Sequence, residues 1–167
     1  LEEIDSAVKF KLGFPMGIFE LADFTGMDVI HKATVEMHMR DKKVINPHKT
    51  VEKMFDEKKL GQKSGEGYYK YSDDKYERVE LSEELAQKCN PIQLIANVLN
   101  NAAWLITNGA SDIEEIEKAA KLGLGLRKPL FETAKEIGIQ NIIDELNKLT
   151  ETYGEFYKPD PLLETMI

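Results

Sequence analysis

Residues Gly13–Asp28 read GFPMGIFELADFTGMD: a turn, a short helix, a glycine stop and the start of a second helix. A weaker copy, GLRKPLFETAKEIGIQ, occupies Gly125–Gln140, 112 positions further on. When the first 37 residues are shifted by 112, 12 of them fall on identical residues. Gly13 and Gly26 fall on Gly125 and Gly138, and Phe19, Glu20 and Ala22 on Phe131, Glu132 and Ala134. Still without a gap, Pro47, Glu52 and Met54 fall on Pro159, Glu164 and Met166. A gapless register that keeps both glycine stops points to tandem duplication of one helical module.

Outward from this stretch the pattern is helical nearly throughout. Leu1–Phe10 reads as a helix with no residue to cap it, whereas its counterpart starts at Ser111 with Glu114 three residues on, the pattern of a capping box. Gly17–Thr25 is a short helix with Ile18, Leu21 and Ala22 as its inner face, and Gly26 stops it. Asp28 is placed to cap the next helix, whose stripe is Met27, Ile30, Thr34 and Met37. A polar stretch, Arg40–Lys49, leads to a helix over Thr50–Lys59. Leu60–Tyr71, LGQKSGEGYYKY, carries three glycines and ends in residues of strand-like composition. Ser72–Lys75 is a polar link, and Ser82 opens a short helix. Asn90 and Pro91 open the longest helix, Pro91–Asn108, with Leu94, Ile95, Val98, Leu99, Ala102, Leu105 and Ile106 as its apolar stripe.

The offset also shows what has no partner. The counterpart of Pro91–Asn108 would precede residue 1, and that of Leu60–Tyr71 would follow residue 167. The expected fold is therefore all-α, two tandem copies of one module, both incomplete. The first spans 1–78 and lacks its first long helix; the second, degenerate, spans 79–167 and is cut at its C-terminal end.

Composition narrows the function. The net charge of −8 argues against a nucleic-acid surface, which needs a basic stripe. No apolar run is long enough to span a membrane, and LEEIDSAVK is not a basic stretch followed by an apolar one. One cysteine, Cys89, excludes an internal disulfide framework and suits a reducing compartment, so the cytoplasm is expected.

Residues able to do chemistry are few. His31 and His38 are seven apart on one helix, too far for one metal ion, and His48 lies in a polar loop. Cys89 has no base near it in sequence. Glu20 and Asp23 start a short helix, where Glu20 can meet free backbone N–H groups. Asn97, Asn100, Asn101, Trp104 and Asn108 lie away from the apolar stripe of the long helix, as a solvated face or a docking face. GQKSGEG is the best local candidate for a ligand contact: glycines let backbone N–H groups approach an anion, and Lys63 adds a charge. Its spacing is not that of a P-loop, and no GxGxxG follows a strand.

The turn GFPMGIFELADFTGMD followed by KLGQKSGEGYYKY resembles the C-terminal domain of the 3-hydroxyacyl-CoA dehydrogenases, a helical domain like that of 6-phosphogluconate dehydrogenase. IEEIEKAAKLGLGLRKPLFETAKEIG through YGEFYKPDPLLETMI resembles the degenerate second repeat of the longer, multifunctional members. The resemblance implies a complete enzyme with an N-terminal NAD-binding domain that oxidises L-3-hydroxyacyl-CoA in fatty-acid β-oxidation. It implies that no catalytic residue lies in this chain: the family's histidine–glutamate pair sits in the absent domain, and its asparagine lies on the missing first long helix of the first copy, with the second-copy position near Ile92, not an asparagine; no metal site is expected. Lys63 matches a lysine that contacts NAD; Gly61, Gly65 and Gly67 match glycines that shape the loop. Ile18 stands where the family has proline, and Arg127, Lys128 and Pro129 replace Pro15, Met16 and Gly17 in the second copy. Acyl-CoA and NAD are the expected ligands, with a pseudo-dimer of the repeats or a homodimer through the helical region. The alternatives are a stand-alone helical interaction module, or the same region of a 3-hydroxybutyryl-CoA or small hydroxy-acid dehydrogenase. An upstream GxGxxG would separate the enzyme from the module.

Overall fold

A computed structural model describes residues 1–44, 46–72 and 75–166. The polar stretches expected at Arg40–Lys49 and Ser72–Lys75 include positions 45, 73 and 74, which lie outside the described residues. The helices are α1 (Glu2–Phe10), α2 (Ile18–Thr25), α3 (Met27–Arg40), α4 (Lys49–Asp56), α5 (Glu83–Ala86), α6 (Ile92–Thr107), α7 (Ile113–Gly123), α8 (Leu130–Ile137), α9 (Ile139–Tyr153) and α10 (Pro161–Glu164). Two short strands, β1 (Tyr71–Ser72) and β2 (Lys75–Tyr76), pair antiparallel. Among the described residues the fold is all-α apart from this ribbon.

Positions 112 apart adopt matching structure. The bounds of α2 and α8 correspond residue for residue, and α3 and α9 begin at corresponding positions, as do α4 and α10. Gly26 (φ 97°, ψ 135°) and Gly138 (φ 92°, ψ 117°) make the same sharp junction between helices, a backbone region that side chains avoid. In both halves a carboxylate of the first helix holds the start of the second. Asp5 Oδ1 accepts the Phe19 N–H at 2.8 Å and Oδ2 the Glu20 N–H at 3.1 Å. Glu117, the residue in register with Asp5, accepts the Leu130 and Phe131 N–H groups at 2.7 and 2.8 Å.

The main apolar core lies in the second half. It is built from α6 to α10 and joined by Val8 of α1 and by Leu12, which follows that helix. Leu99, Ala103, Ala134, Ile142, Leu146 and Leu163 are fully buried. α6 lies over α8, α9 and α10, and its polar residue Asn100 is buried with them. That side chain donates to Lys158 O at 2.9 Å and accepts the Asp160 N–H at 2.7 Å. This corrects the expectation of one polar face on α6: Asn100 turns inward to satisfy backbone groups of the segment that crosses it, while Asn101, Trp104 and Asn108 stay exposed.

Two caps differ from expectation, and that of α4 is not assigned from sequence. Asp112, not Ser111, caps α7, because its side chain accepts the Glu115 N–H at 2.9 Å. Gly26 occupies the cap position of α3, which moves Asp28 into the first turn. His48 caps α4 through Nδ1, 3.2 Å from the Thr50 nitrogen.

Candidate functional site

The turn at Gly13–Gly17 delivers α2 onto α1, and the face of α2 that reaches the interior is the polar one. Glu20 and Asp23 are buried, whereas Ile18 and Leu21 are 39% and 42% exposed. The expectation of an inner face made of Ile18, Leu21 and Ala22 is therefore overturned. The cause is non-local: the chain at Gly61–Tyr71 comes back to α2 carrying donors that the Asp23 carboxylate satisfies. Asp23 Oδ1 accepts the Tyr68 N–H, and Oδ2 accepts the Tyr69 N–H and the Tyr71 hydroxyl, all at 2.8 Å. Tyr69 donates its hydroxyl to Asp5 Oδ2 at 2.9 Å. Glu20 accepts the Gly17 N–H at 2.8 Å, as expected for a helix start, and pairs with Arg78. The Arg78 guanidinium lies over the rings of Tyr69 and Tyr76.

Burial decides the protonation in this network. It pushes the Tyr69 and Tyr71 phenols far above their usual range, with the Asp5 and Asp23 carboxylates beside them adding to the shift, so both remain donors. Burial also raises the Asp5 carboxyl, against the pull of its three hydrogen bonds. Only glycine fits where the loop crosses α2: a Cβ on Gly61 would lie 2.2 Å from Asp23 O, and one on Gly67 2.1 Å from Asp23 Oδ1. From sequence Asp23 stands out only as a carboxylate near the start of a short helix, and Asp5 and Arg78 do not stand out. The signal for Asp5 was its register with Glu117, conservative rather than identical.

Lys63 sits in a 3₁₀ turn, Gln62–Ser64, at the N-terminus of α3. It pairs with Asp28, and that contact holds the Asp28 carboxyl below its usual range. The side chain is 47% exposed. An ammonium here faces the positive end of the α3 dipole, and Asp28 offsets that repulsion. Lys63 is thus exposed but already partnered by Asp28.

The remaining candidates do not converge. His31 stacks on Phe55 with ring centroids 4.3 Å apart, and His38 Nδ1 contacts Val44 O. Cys89 is half-buried and unpaired. Among the described residues no group of three His, Cys, Asp or Glu could hold a metal ion, and no helix is long and apolar enough to cross a membrane.

Two apolar depressions flank the exposed residues of α2. One, about 320 Å³, lies over α2, α3 and α4 and is lined by Ile18, Met27, Ile30 and Val51 among others. The other, about 480 Å³, lies between the turn–α2 segment and α6.

The described residues form a helical module with a glycine loop and an exposed lysine beside it. The sequence model of the 3-hydroxyacyl-CoA dehydrogenase C-terminal domain matches residues 1–71 and 93–167, and the chain belongs to that family. It is 40% identical over 72 residues to hydroxyacyl-coenzyme A dehydrogenase, mitochondrial, of Rattus norvegicus, covering 42% of this chain and 23% of that one. It is 26% identical over 188 residues to the fatty acid oxidation complex subunit alpha of Idiomarina loihiensis, covering 100% of this chain and 26% of that one. The chain thus spans about a quarter of the length of these curated relatives. Its fold is that of the Escherichia coli 3-hydroxybutyryl-CoA dehydrogenase structure, with TM-score 0.75 and 20% identity over 98% of this chain and 53% of that one. The dehydrogenase part of multifunctional enzyme 1 from C. elegans matches with TM-score 0.68 and 21% identity, over 100% of this chain and 42% of that one.

Proposed function

We propose that residues 1–167 form the helical C-terminal region of an NAD-dependent L-3-hydroxyacyl-CoA dehydrogenase of fatty-acid β-oxidation. The complete enzyme oxidises the 3-hydroxyl to the ketone and passes hydride to NAD. The base and the hydride site lie in a dinucleotide-binding domain outside these residues, and this chain closes one wall of the shared cleft. The family match over both halves carries this reading. Residues 1–167 alone should not oxidise NADH with acetoacetyl-CoA; measurable turnover would overturn the assignment.

Lys63 is the residue of this chain that meets the cofactor. Its exposed ammonium at a helix N-terminus suits an anionic group, which would take it from Asp28. In the complete enzyme, Lys63→Ala should raise KM for NADH more than KM for the thioester, and Asp28→Asn should lower KM for NADH. No change in either would remove Lys63 from the site. The single cysteine fits a reducing cytoplasmic location, which cell fractionation tests.

The halves 1–78 and 79–167 are copies of one module, packed as an internal pseudo-dimer. A reciprocal contact supports this. Gly13 O accepts the Arg127 N–H at 3.3 Å. In return, Pro15 Cγ lies 3.1 Å from where a Cβ on Gly125 would be. Positions 13 and 15 meet their own counterparts crosswise, the form of a two-fold contact. The same register gives the depression over α2, α3 and α4 its occupant: a long helix of the first copy, outside residues 1–167, placed as α6 is over α8, α9 and α10.

A further inference from the structure

Lys63 stands on a loop, Gly61–Gly67, that has no apolar side chain to hold it in place. The loop closes on itself: Gly61 N–H donates to Glu66 O at 2.9 Å, and Ser64 Oγ accepts the Leu60 N–H at 2.8 Å. These bonds fix its shape, and the contacts with α2 fix where it sits. Both of its ends rest on Asp23. Gly61 packs against the Asp23 backbone and Gly67 against the Asp23 carboxylate, and the Tyr68 and Tyr69 N–H groups that follow bond to that carboxylate. We propose that Asp23 is a positioning residue for Lys63: by docking the loop on α2, it holds the ammonium over the N-terminus of α3, where an anionic ligand can meet it. This role rests on the reading of Lys63 as a cofactor contact.

The path between the two residues is short. Asp23 lies three positions before Gly26, the junction at which α2 ends and α3 begins. A Cβ on Gly26 would lie 2.6 Å from Lys63 Nζ, so the ammonium rests on that junction. Leu60 O accepts the Met27 N–H at 3.3 Å, which ties the entry of the loop to the same point. Asp23 is 1% exposed and takes three donors on its two oxygens, bonds that a charged acceptor makes stronger than a neutral one. An amide of the same size turns an NH2 toward at least one of these donors and leaves it unpaired. The second half lacks this receptor, since Lys135 stands at the register of Asp23 and is exposed.

The test is a double-mutant cycle in the complete enzyme, with NADH and acetoacetyl-CoA. Asp23→Asn should raise KM for NADH about threefold or more, with kcat and KM for the thioester within about twofold of the parent. In a Lys63→Ala background the same substitution should leave KM for NADH essentially unchanged, because the group it positions is gone. Tyr71→Phe removes one of the three bonds and keeps the carboxylate; it should give a smaller rise in the same direction, and it runs the same cycle if Asp23→Asn does not fold. Hydrogen exchange read by mass spectrometry should be faster over residues 61–69 in Asp23→Asn and unchanged over α9. Leu146→Ala, which empties volume in the core of the second half, should leave KM for NADH unchanged. An equal effect with and without Lys63, an unchanged KM for NADH, unchanged exchange of the loop, or an equal rise in Leu146→Ala overturns the positioning role. If Lys63→Ala itself leaves KM for NADH unchanged, the cofactor reading falls and the positioning role with it. If Lys63→Ala raises it and Asp23→Asn does not, the cofactor reading stands and the positioning role alone is lost.

Discussion

α2 in the first half of the chain buries carboxylates, whereas α8 and α9 in the second half bury mainly apolar side chains. Asp23 is 1% exposed, and its counterpart Lys135 is exposed. Leu146 is fully buried, and its counterpart Thr34 is half-buried. The difference follows from what covers each half. α6 lies on α8, α9 and α10, so those helices present apolar faces to it. Among the described residues no helix covers α2 and α3 in this way; α2 is fixed from the other side by a glycine loop and its tyrosines. One backbone plan is thus stabilised in two ways: by a core where a helix lies on top, and by saturated hydrogen bonds where a loop returns.

Paired substitutions can break that comparison. The largest effect is expected at Leu146→Ala, about 3 kcal/mol from lost burial and the cavity left behind. Thr34→Ala, at the same register, should cost less than about 1 kcal/mol. Chemical denaturation measures both, and equal costs would remove the distinction. Next is Asp23→Ala. It strips the acceptor from two backbone N–H groups and one tyrosine hydroxyl and should cost about 2 kcal/mol. Lys135→Ala should change stability by no more than about 0.5 kcal/mol.

Asp5 gives a pH signature. Burial raises its carboxyl above 3.8, so the folded protein keeps a proton that the unfolded chain releases. Its contribution is full below 3.8 and is lost as pH rises through the raised value. In Asp5→Asn that decline should disappear from urea midpoints taken between about pH 3 and 6; a parallel profile would contradict it. Asp28 has the opposite sign and the smallest effect. Its lowered carboxyl stabilises above 3.8, and this is lost as pH falls through the lowered value. Because the pair is exposed, the shift in melting temperature on Lys63→Ala should vanish in high salt.

Much of the fold is legible in the sequence because glycine marks the backbone. Gly13, Gly26, Gly125 and Gly138 all have positive φ, which leaves them identical in both halves while their neighbours change. The helices between them follow from periodicity. The orientation of α2 does not: Ile18 and Leu21 are correctly apolar but face outward, because the groups that decide the inner face arrive from Tyr68, Tyr69 and Tyr71, 45 to 48 positions later. Caps err by one or two residues for a local reason, since Ser111 and Asp112 both suit the role and only geometry selects Asp112. Lys63 could be picked out by its glycines, but its partner Asp28, 35 positions away, could not.

Native-state hydrogen exchange at positions related by the 112-residue register tests the central claim most directly. If the second half owes its stability to the cover supplied by α6, the amides of Ile142 and Leu146 in α9 should exchange about a hundredfold more slowly than those of Ile30 and Thr34 in α3. Equal protection of the two helices would mean that the cover contributes nothing, and the contrast drawn between the halves would fail.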